Sequence, residues 1–123
     1  MKILVVEPRK RPRRANIPHT LEDMQRIVGG YIEIIGLFDD PCVLVCDEEG
    51  KLKGYESNRL VGQDIIAGTF FIAGVEGEDL TDLPDELADK YETLLRYPQV
   101  FIRTPVGVLA LSENGVQELI AAK

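Results

Sequence analysis

The residues best suited to chemistry are concentrated in one basic stretch, "EPRKRPRRANIP". Its five cations, Arg9, Lys10, Arg11, Arg13 and Arg14, fall within six positions of a chain whose formal net charge is −7. Guanidinium groups bind phosphates through charge-assisted, often bidentate hydrogen bonds. The stretch therefore predicts one of two things. Either Arg9, Arg11 and Arg13 contact an anionic ligand, or the loop is a solvated hairpin tip that aids solubility.

A second polar group, Asn58, Arg59 and Asp64, lies in the segment "ESNRLVGQD". An irregular polar loop that leads into an apolar strand is a common place for ligand contacts. The same side chains can instead satisfy backbone groups of the loop. On the first interpretation, Asn58, Arg59 and Asp64 complete a ligand-binding set with the arginines of the basic stretch.

Acid–base chemistry has few candidates, namely His19, Glu33 and Asp64. Cys42 and Cys46 stand in the apolar strand "PCVLVCD", about 13 Å apart on one face, which predicts buried, reduced thiols that do not bridge each other. Two strand cysteines and one histidine fall short of the four ligands of a structural zinc site. We expect no catalytic residue, no metal and no cofactor.

Several motifs are missing from the sequence, including "GxxxxGK" followed by Ser or Thr, "GxGxxG", "HExxH" and a nucleophile elbow. Acidic residues precede and open the second predicted helix without the spacing of a calcium loop. They fit either the helix dipole or a protein-docking surface. These residues are Glu76, Glu78, Asp79, Asp82, Asp85, Glu86 and Asp89.

Length and composition predict a single α+β domain over residues 1–123. The chain is 45% hydrophobic and 28% charged, as in ordinary globular proteins. The longest apolar run, "IIAGTFFIAGV", is shorter than the roughly 20 residues that a membrane helix needs, and the N-terminus does not fit an export signal. The prediction is a cytoplasmic protein without membrane contacts.

Local patterns predict the element order ββαβββαββα with a mostly antiparallel sheet. "KILVVE" and "RRANIP" form a hairpin whose tip is the basic stretch. A first helix runs from an N-cap at Thr20 to Gly29, and a second begins near Pro84. "DIIAGTFFIAG" is expected to be one central strand. "SENGVQELIAAK", capped by Ser112, is expected to be a short C-terminal helix.

With "VEPRKRP", "VGGYIE", "FDDP", "DEEGK", "NRL" and "DIIAGTFFIAG" in this order, the chain resembles a family of small proteins known as a domain of unknown function, DUF3846. The resemblance extends from residue 1 to about residue 103. It implies an intracellular protein of Firmicutes, their phages or their conjugative elements. It brings no catalytic or binding residues with it.

These observations favour a non-enzymatic accessory protein that binds a host protein or a small anionic, nucleotide-like ligand. A homo-oligomer interface would let arginines from neighbouring chains converge on such a ligand. The alternative is a small enzyme that acts on a nucleotide or peptide. Nucleic-acid binding through the basic stretch is less expected, because the net charge is negative and the stretch has no interleaved aromatic residues.

Overall fold

The computed structural model describes residues 1–37, 39–113 and 115–119. This part of the chain contains two helices, α1 (Leu21–Val28) and α2 (Asp85–Leu94). The strands are β1 (Lys2–Val6), β2 (Arg13–Asn16), β3 (Ile32–Gly36), β4 (Cys42–Asp47), β5 (Ser57–Val61), β6 (Asp64–Ala67), β7 (Phe70–Glu76), β8 (Asp79–Thr81), β9 (Val100–Thr104), β10 (Gly107–Ser112) and β11 (Gly115–Leu119). The predicted α+β class with mostly antiparallel sheets is confirmed.

The main sheet has the strand order β2-β1-β7-β4-β3, and β8 pairs with the end of β7. Every pairing in it is antiparallel. Ile72 of β7 lies in register between Leu4 of β1 and Leu44 of β4, and all three side chains are fully buried. The centre of the core is therefore formed by strands that are far apart in sequence.

A helix covers each face of this sheet. Met24 and Val28 of α1 pack on the face that includes Val5, Val45 and Phe71. On the opposite face, α2 packs with Ala88 and Tyr91, and the β5–β6 hairpin adds Ile66. Because β1, β4 and β7 are covered on both sides, successive residues in them are buried and apolar.

Both predicted helix starts and the first hairpin are confirmed. The Thr20 hydroxyl accepts a hydrogen bond from the Asp23 amide, and Gly29 ends α1 in the left-handed conformation at φ +93°. The second helix begins directly after Pro84. The basic stretch joins β1 to β2, as the sequence predicts.

The predicted C-terminal helix and the exact element order are wrong. After β10 the chain turns back at Gly115, φ +131°, and β11 pairs with β10 from Ser112↔Gly115 to Val108↔Leu119. The neighbouring strand β10 pairs with Gly115–Leu119, whereas a short isolated helix is marginal. Residues 120–123 of the predicted helix lie outside the described residues. The observed order is ββαββββββαβββ.

The segment "DIIAGTFFIAG" is two strands instead of the single strand predicted. Gly68, at φ +82°, separates β6, which pairs with β5, from β7 in the main sheet. A Cβ at Gly68 would lie 2.6 Å from a ring carbon of Tyr55, so a close approach also requires glycine there. Because β6 is separate from β7, it pairs with the polar segment "SNRLV", which is strand β5. Arg59 of β5 contacts Lys10 in the basic stretch.

Candidate anion-binding site

The basic loop, defined here as residues 7–12, is a structured turn between β1 and β2. The Lys10 amide donates a hydrogen bond to the Glu7 carbonyl, at 3.2 Å. Arg9 adopts a positive φ of 66°, which an arginine adopts only when its surroundings hold it there. The loop therefore has a defined shape with its charged side chains exposed to solvent.

Three cations at this end of the hairpin form ion pairs. Arg9 Nε lies 2.6 Å from an oxygen of Glu56, and Arg13 Nε lies 3.1 Å from Glu7. Lys10 shares Glu7 at 3.8 Å. The three basic side chains are 59–78% exposed, and exposed pairs of this kind contribute about 0–1 kcal/mol each. An incoming anion can therefore replace these carboxylates at low cost.

Arg14 is directed to helix α2 instead of the loop. Its guanidinium pairs with Glu92 at 3.1 Å, with Asp89, and with Asp85 at 3.9 Å. The hydrogen bonds to Glu92 and Asp89 raise the pKa of Arg14. Part of the acidic group noted in the sequence is thus an exposed face of α2 that neutralises one of the five cations.

Arg11 lies over an aromatic ring. The centre of its guanidinium is 6.0 Å from the ring centroid of Tyr97, which follows α2 in the chain. This distance is at the outer limit of a cation–π contact, and such a contact leaves the N–H groups free to donate. Tyr97 is a site residue that local sequence patterns do not reveal.

Asn58 and Arg59 lie beneath the basic loop and are buried, with 0% and 1% of their surfaces exposed. The Asn58 amide donates to the carbonyls of Val6 and Gly68, both at 2.9 Å. Arg59 donates to the Lys10 carbonyl at 2.5 Å and to the Leu95 carbonyl at 3.1 Å. The pair therefore holds the start of the loop, its tip and the end of α2 together.

The charge of Arg59 is not neutralised by a carboxylate within the described part of the chain. Its hydrogen bonds are accepted by the carbonyls of Lys10, Leu95 and Asn58 and by the Asn58 side-chain oxygen, which is 2.8 Å from Nη1. Burial lowers the pKa of Arg59 to about 10, so the guanidinium stays protonated at neutral pH. The negative end of α2, at Leu95, is favourable to this cation. A buried positive charge thus lies under the loop tip.

Asp64, the sixth residue of the predicted ligand-binding set, is at the start of β6. Its carboxylate pairs with Lys51 at 2.9 Å, and both side chains are exposed. The fold thus joins the other five predicted residues, Arg9, Arg11, Arg13, Asn58 and Arg59, in one region, and Asp64 is paired elsewhere. Whether any of them binds a ligand stays a prediction.

The acid–base candidates do not form a hydrogen-bonded group. His19 is exposed in the segment before α1, and the Glu33 carboxylate accepts a long contact of 3.8 Å from Cys46 Sγ. Burial, and to a smaller extent the negative charges of Glu33 and Asp64, raise the pKa of Cys46 to about 12. Burial also raises the pKa of Cys42. Both thiols are buried and unpaired, and are protonated at neutral pH.

A second polar cluster, at the end of α1, has no counterpart among the predicted site residues. Asp47 is 5% exposed and accepts hydrogen bonds from Lys53 Nζ at 2.7 Å and from the Glu49 amide at 2.9 Å. Lys53 and the Tyr55 hydroxyl both donate to the Gly29 carbonyl at 3.2 Å. These contacts cap α1 and fasten the turn after β4 to it. Beside them lies a groove of about 460 Å³.

Fold and site together define a small α+β protein with a structured basic loop held from behind by a buried arginine. The chain belongs to the family described as domain of unknown function DUF3846, whose family model matches residues 1–96. The match includes both helices, the basic loop and the Asn58–Arg59 pair, and it ends before β9. No curated protein and no solved structure matches the chain.

Two further findings concern only the residues that the structure describes. No helix among them is long and apolar enough to cross a membrane. No three histidine, cysteine or acidic side chains within the described ranges lie close enough together to hold a metal ion.

Proposed function

We propose that this protein is a non-enzymatic binding protein whose basic loop takes up a small anionic, phosphate-bearing ligand of the nucleotide type. The single observation behind this proposal is the hydrogen bond from buried Arg59 to the Lys10 carbonyl at the loop tip. We propose an accessory role for this protein in a phage or mobile element on the basis of the sequence resemblance alone. The direct ligand contacts are assigned to Arg9 and Arg11, supported by Arg13.

Preorganisation is the first argument. Binding costs free energy when flexible side chains and loops must be ordered, and a loop already fixed in shape avoids part of that cost. Asn58 holds the carbonyl of Val6, directly before the basic loop, and Arg59 holds the carbonyl of Lys10 within it. We therefore regard Asn58 and Arg59 as positioning residues, which agrees with the second of the two interpretations that the sequence leaves open, that these side chains satisfy backbone groups.

Charge is the second argument. A phosphate over the loop tip would meet the exposed cations Arg9 and Arg11 while lying above the buried charge of Arg59. Arg9 already pairs with the carboxylate of Glu56, which supports the assignment of an oxyanion contact to its guanidinium. Phosphate binds guanidinium groups through charge-assisted, often bidentate hydrogen bonds.

The size of the ligand follows from the acidic surroundings. Asp85, Asp89 and Glu92 of α2 cluster around Arg14, the residue next to Arg13. A long polyanion such as duplex DNA would be repelled by that surface, whereas a ligand of one to three phosphates can bind at the tip alone. A small anion is therefore favoured over nucleic acid. Binding of a host protein, the other partner considered, stays a prediction.

The test is isothermal titration of the full chain with ATP, AMP and inorganic pyrophosphate. Substituting both Arg9→Ala and Arg11→Ala is expected to weaken binding of the best probe at least about tenfold, the equivalent of 1.4 kcal/mol. The matched control is Lys51→Ala with Arg103→Ala, which removes the same charge from other exposed positions and should leave the affinity unchanged.

Three results would contradict the proposal: no heat with any of the probes, an equal loss in the control variant, or a probe recovered in chemically altered form. The last is read by denaturing the complex and weighing the released molecule by mass spectrometry. A binding protein returns the probe intact, whereas the enzymatic alternative returns a product.

A further inference from the structure

Tyr97 lies beside the basic loop, and the phosphate contacts proposed above leave it without a role. Its ring is partly exposed, and the guanidinium of Arg11 lies over the ring at 6.0 Å from the centroid. Among the five cations of the basic stretch, Arg11 is the one that forms no ion pair within the described part of the chain. A planar cation and an aromatic ring are thus neighbours at the candidate site.

The distance between Arg11 and Tyr97 leaves the tyrosine ring available to a ligand. Flat groups stacked in direct contact lie about 3.5–4 Å apart, so at 6.0 Å the guanidinium does not cover the ring in close contact. A flat ring held between the two groups makes one such contact on each side and needs about 7 Å. The Arg11 side chain is exposed, and exposed side chains change rotamer rapidly, so it can move outward by this small amount.

One buried side chain holds the backbone on both sides of this gap. Arg59 donates a hydrogen bond to the carbonyl of Lys10, the residue before Arg11. The same guanidinium donates to the carbonyl of Leu95, two residues before Tyr97. Because Arg59 is buried, it fixes the two backbone segments relative to each other. The gap between Arg11 and Tyr97 is therefore preorganised, which lowers the free-energy cost of binding.

The chain after Tyr97 is held as well. The side-chain oxygen of Gln99 accepts a hydrogen bond from the amide of Leu60 in β5, at 2.7 Å. Pro98 follows Tyr97 directly, and a residue before proline has a restricted backbone. Since Arg59 also belongs to β5, the short segment with Tyr97 is tied to this strand on both sides. Such a segment suits a fixed platform for stacking.

We propose that Tyr97 is the platform on which the base of the ligand stacks, so that the site accepts purine nucleotides in preference to phosphate compounds without a base. The base lies between the ring of Tyr97 and the guanidinium of Arg11, whose N–H groups stay available to the phosphates. This inference rests on the proposed function, and it adds the class of ligand that the site accepts.

The chemistry of stacking favours a free purine nucleotide as the occupant. Nucleobases stack on aromatic side chains and on the planes of arginine guanidinium groups. A purine has two fused rings and so a larger face than a pyrimidine, which strengthens its stacking. The bases of a duplex have their faces covered by neighbouring base pairs. A free nucleotide therefore fits both the gap and the acidic side chains on α2 near the basic loop.

The experiment measures the affinities of the full chain for ATP, CTP and inorganic tripolyphosphate by isothermal titration. Tyr97→Leu should weaken the binding of ATP about tenfold, because base stacking is lost, and leave the affinity for tripolyphosphate unchanged. Tyr97→Phe keeps the ring and should keep the affinity for ATP. ATP should bind about threefold more tightly than CTP, which has the same sugar and phosphates. The matched control is Tyr31→Leu, the same change at a tyrosine that is 68% exposed before β3, which should leave every affinity unchanged.

Three results would overturn the inference and leave the proposed phosphate site standing. The first is an equal loss of affinity for ATP and tripolyphosphate in Tyr97→Leu, because that loss means a purely structural role for Tyr97. The second is an unchanged affinity for ATP in the same variant. The third is equal binding of ATP and CTP, which removes the preference for a purine. If none of the three probes binds, the proposed function and this inference both fail.

Adenosine, which carries no phosphate, tests the stacking separately from the phosphate contacts. Its ring current should shift the NMR signals of the Tyr97 ring in the unmodified protein, and Tyr97→Leu identifies those signals by their absence. Unchanged signals contradict the inference whether or not the phosphates bind. Circular dichroism checks that each variant is folded.

Discussion

Arg59 donates a hydrogen bond of 2.5 Å to the carbonyl of Lys10, a residue 49 positions earlier in the chain. The same guanidinium reaches the carbonyl of Leu95 at the end of α2. One buried side chain thus connects a hairpin loop, a strand and a helix end. The basic stretch of this acidic protein is therefore a structured loop. It is held by a hydrogen bond from a further, buried arginine.

Replacing Arg59 by methionine should destabilise the protein and free the loop. The variant Arg59→Met leaves the carbonyls of Lys10, Leu95 and Asn58 without these donors, which we expect to cost about 2–4 kcal/mol in the free energy of unfolding. Urea denaturation measures this loss. Hydrogen exchange at the Lys10 amide should speed up as well, because the loop tip loses its anchor.

The control for this prediction is Arg103→Met, which removes an exposed arginine and should change the stability by less than about 0.5 kcal/mol. Equal stabilities for the two variants would mean that Arg59 does not anchor the loop.

Gly30→Ala should be destabilising, because the space for a side chain is already taken. A Cβ at this position would overlap Lys53 Nζ and lie 2.7 Å from Asp47 Oδ2. Lys53 can move, but the buried Asp47 carboxylate cannot, so we expect a loss of about 1–3 kcal/mol. Gly36→Ala, where no atom lies within 4 Å, is the matched control and should be nearly neutral. Thermal unfolding of both variants decides the matter.

Asp47 should make stability depend on pH in the acid range. Burial on its own would raise the pKa of Asp47, but hydrogen bonds from Lys53 and the Glu49 amide bring it below its ordinary value of 3.8. A carboxyl with a lowered folded-state pKa stabilises the fold above the unfolded-state value, and this stability is lost as the pH falls through the folded-state value.

Asp47→Asn should therefore be less stable than the unmodified protein at pH 7 and lose less further stability on acidification below about pH 4. Urea denaturation at several pH values gives both quantities. Parallel curves for the two proteins would show that Asp47 does not contribute to the pH dependence.

Cys42 and Cys46 should resist alkylation in the folded protein. Both are buried, and burial raises the pKa of Cys46 to about 12. Only the thiolate reacts, so iodoacetamide at neutral pH should modify the folded chain about a hundredfold more slowly than the urea-unfolded chain. Mass spectrometry counts the adducts. A cysteine placed by Val106→Cys, at a position 63% exposed, is the reactive control; rapid labelling of the native cysteines would contradict the structure.

Local patterns predicted those parts of the fold that depend on neighbouring residues. The caps of α1 at Thr20 and Gly29, the start of α2 after Pro84 and the hairpin around the basic loop are set by side chains within a few positions of each other. The buried cysteines follow from an apolar run long enough to be covered on both faces. The α+β class follows from the same signals.

The break at Gly68 and the C-terminal strand could not be predicted in this way. The segment "DIIAGTFF" reads as one continuous strand, and only the pairing of β6 with β5 separates it from β7. The segment after Ser112 has a cap-like start, yet Gly115–Leu119 pairs with β10 as a strand. Strand partners are chosen by the tertiary fold, and tertiary contacts override weak local preferences.

The same division holds for the candidate site. The sequence by itself determined which cations are available and that they lie at a hairpin tip. Only the tertiary structure decided that Arg14 is neutralised by α2, that Arg11 lies over Tyr97 and that Arg59 supports Lys10 from below. These partners come from distant parts of the chain, and a hydrogen bond between them depends on how whole strands and helices pack, which no local spacing of residues records.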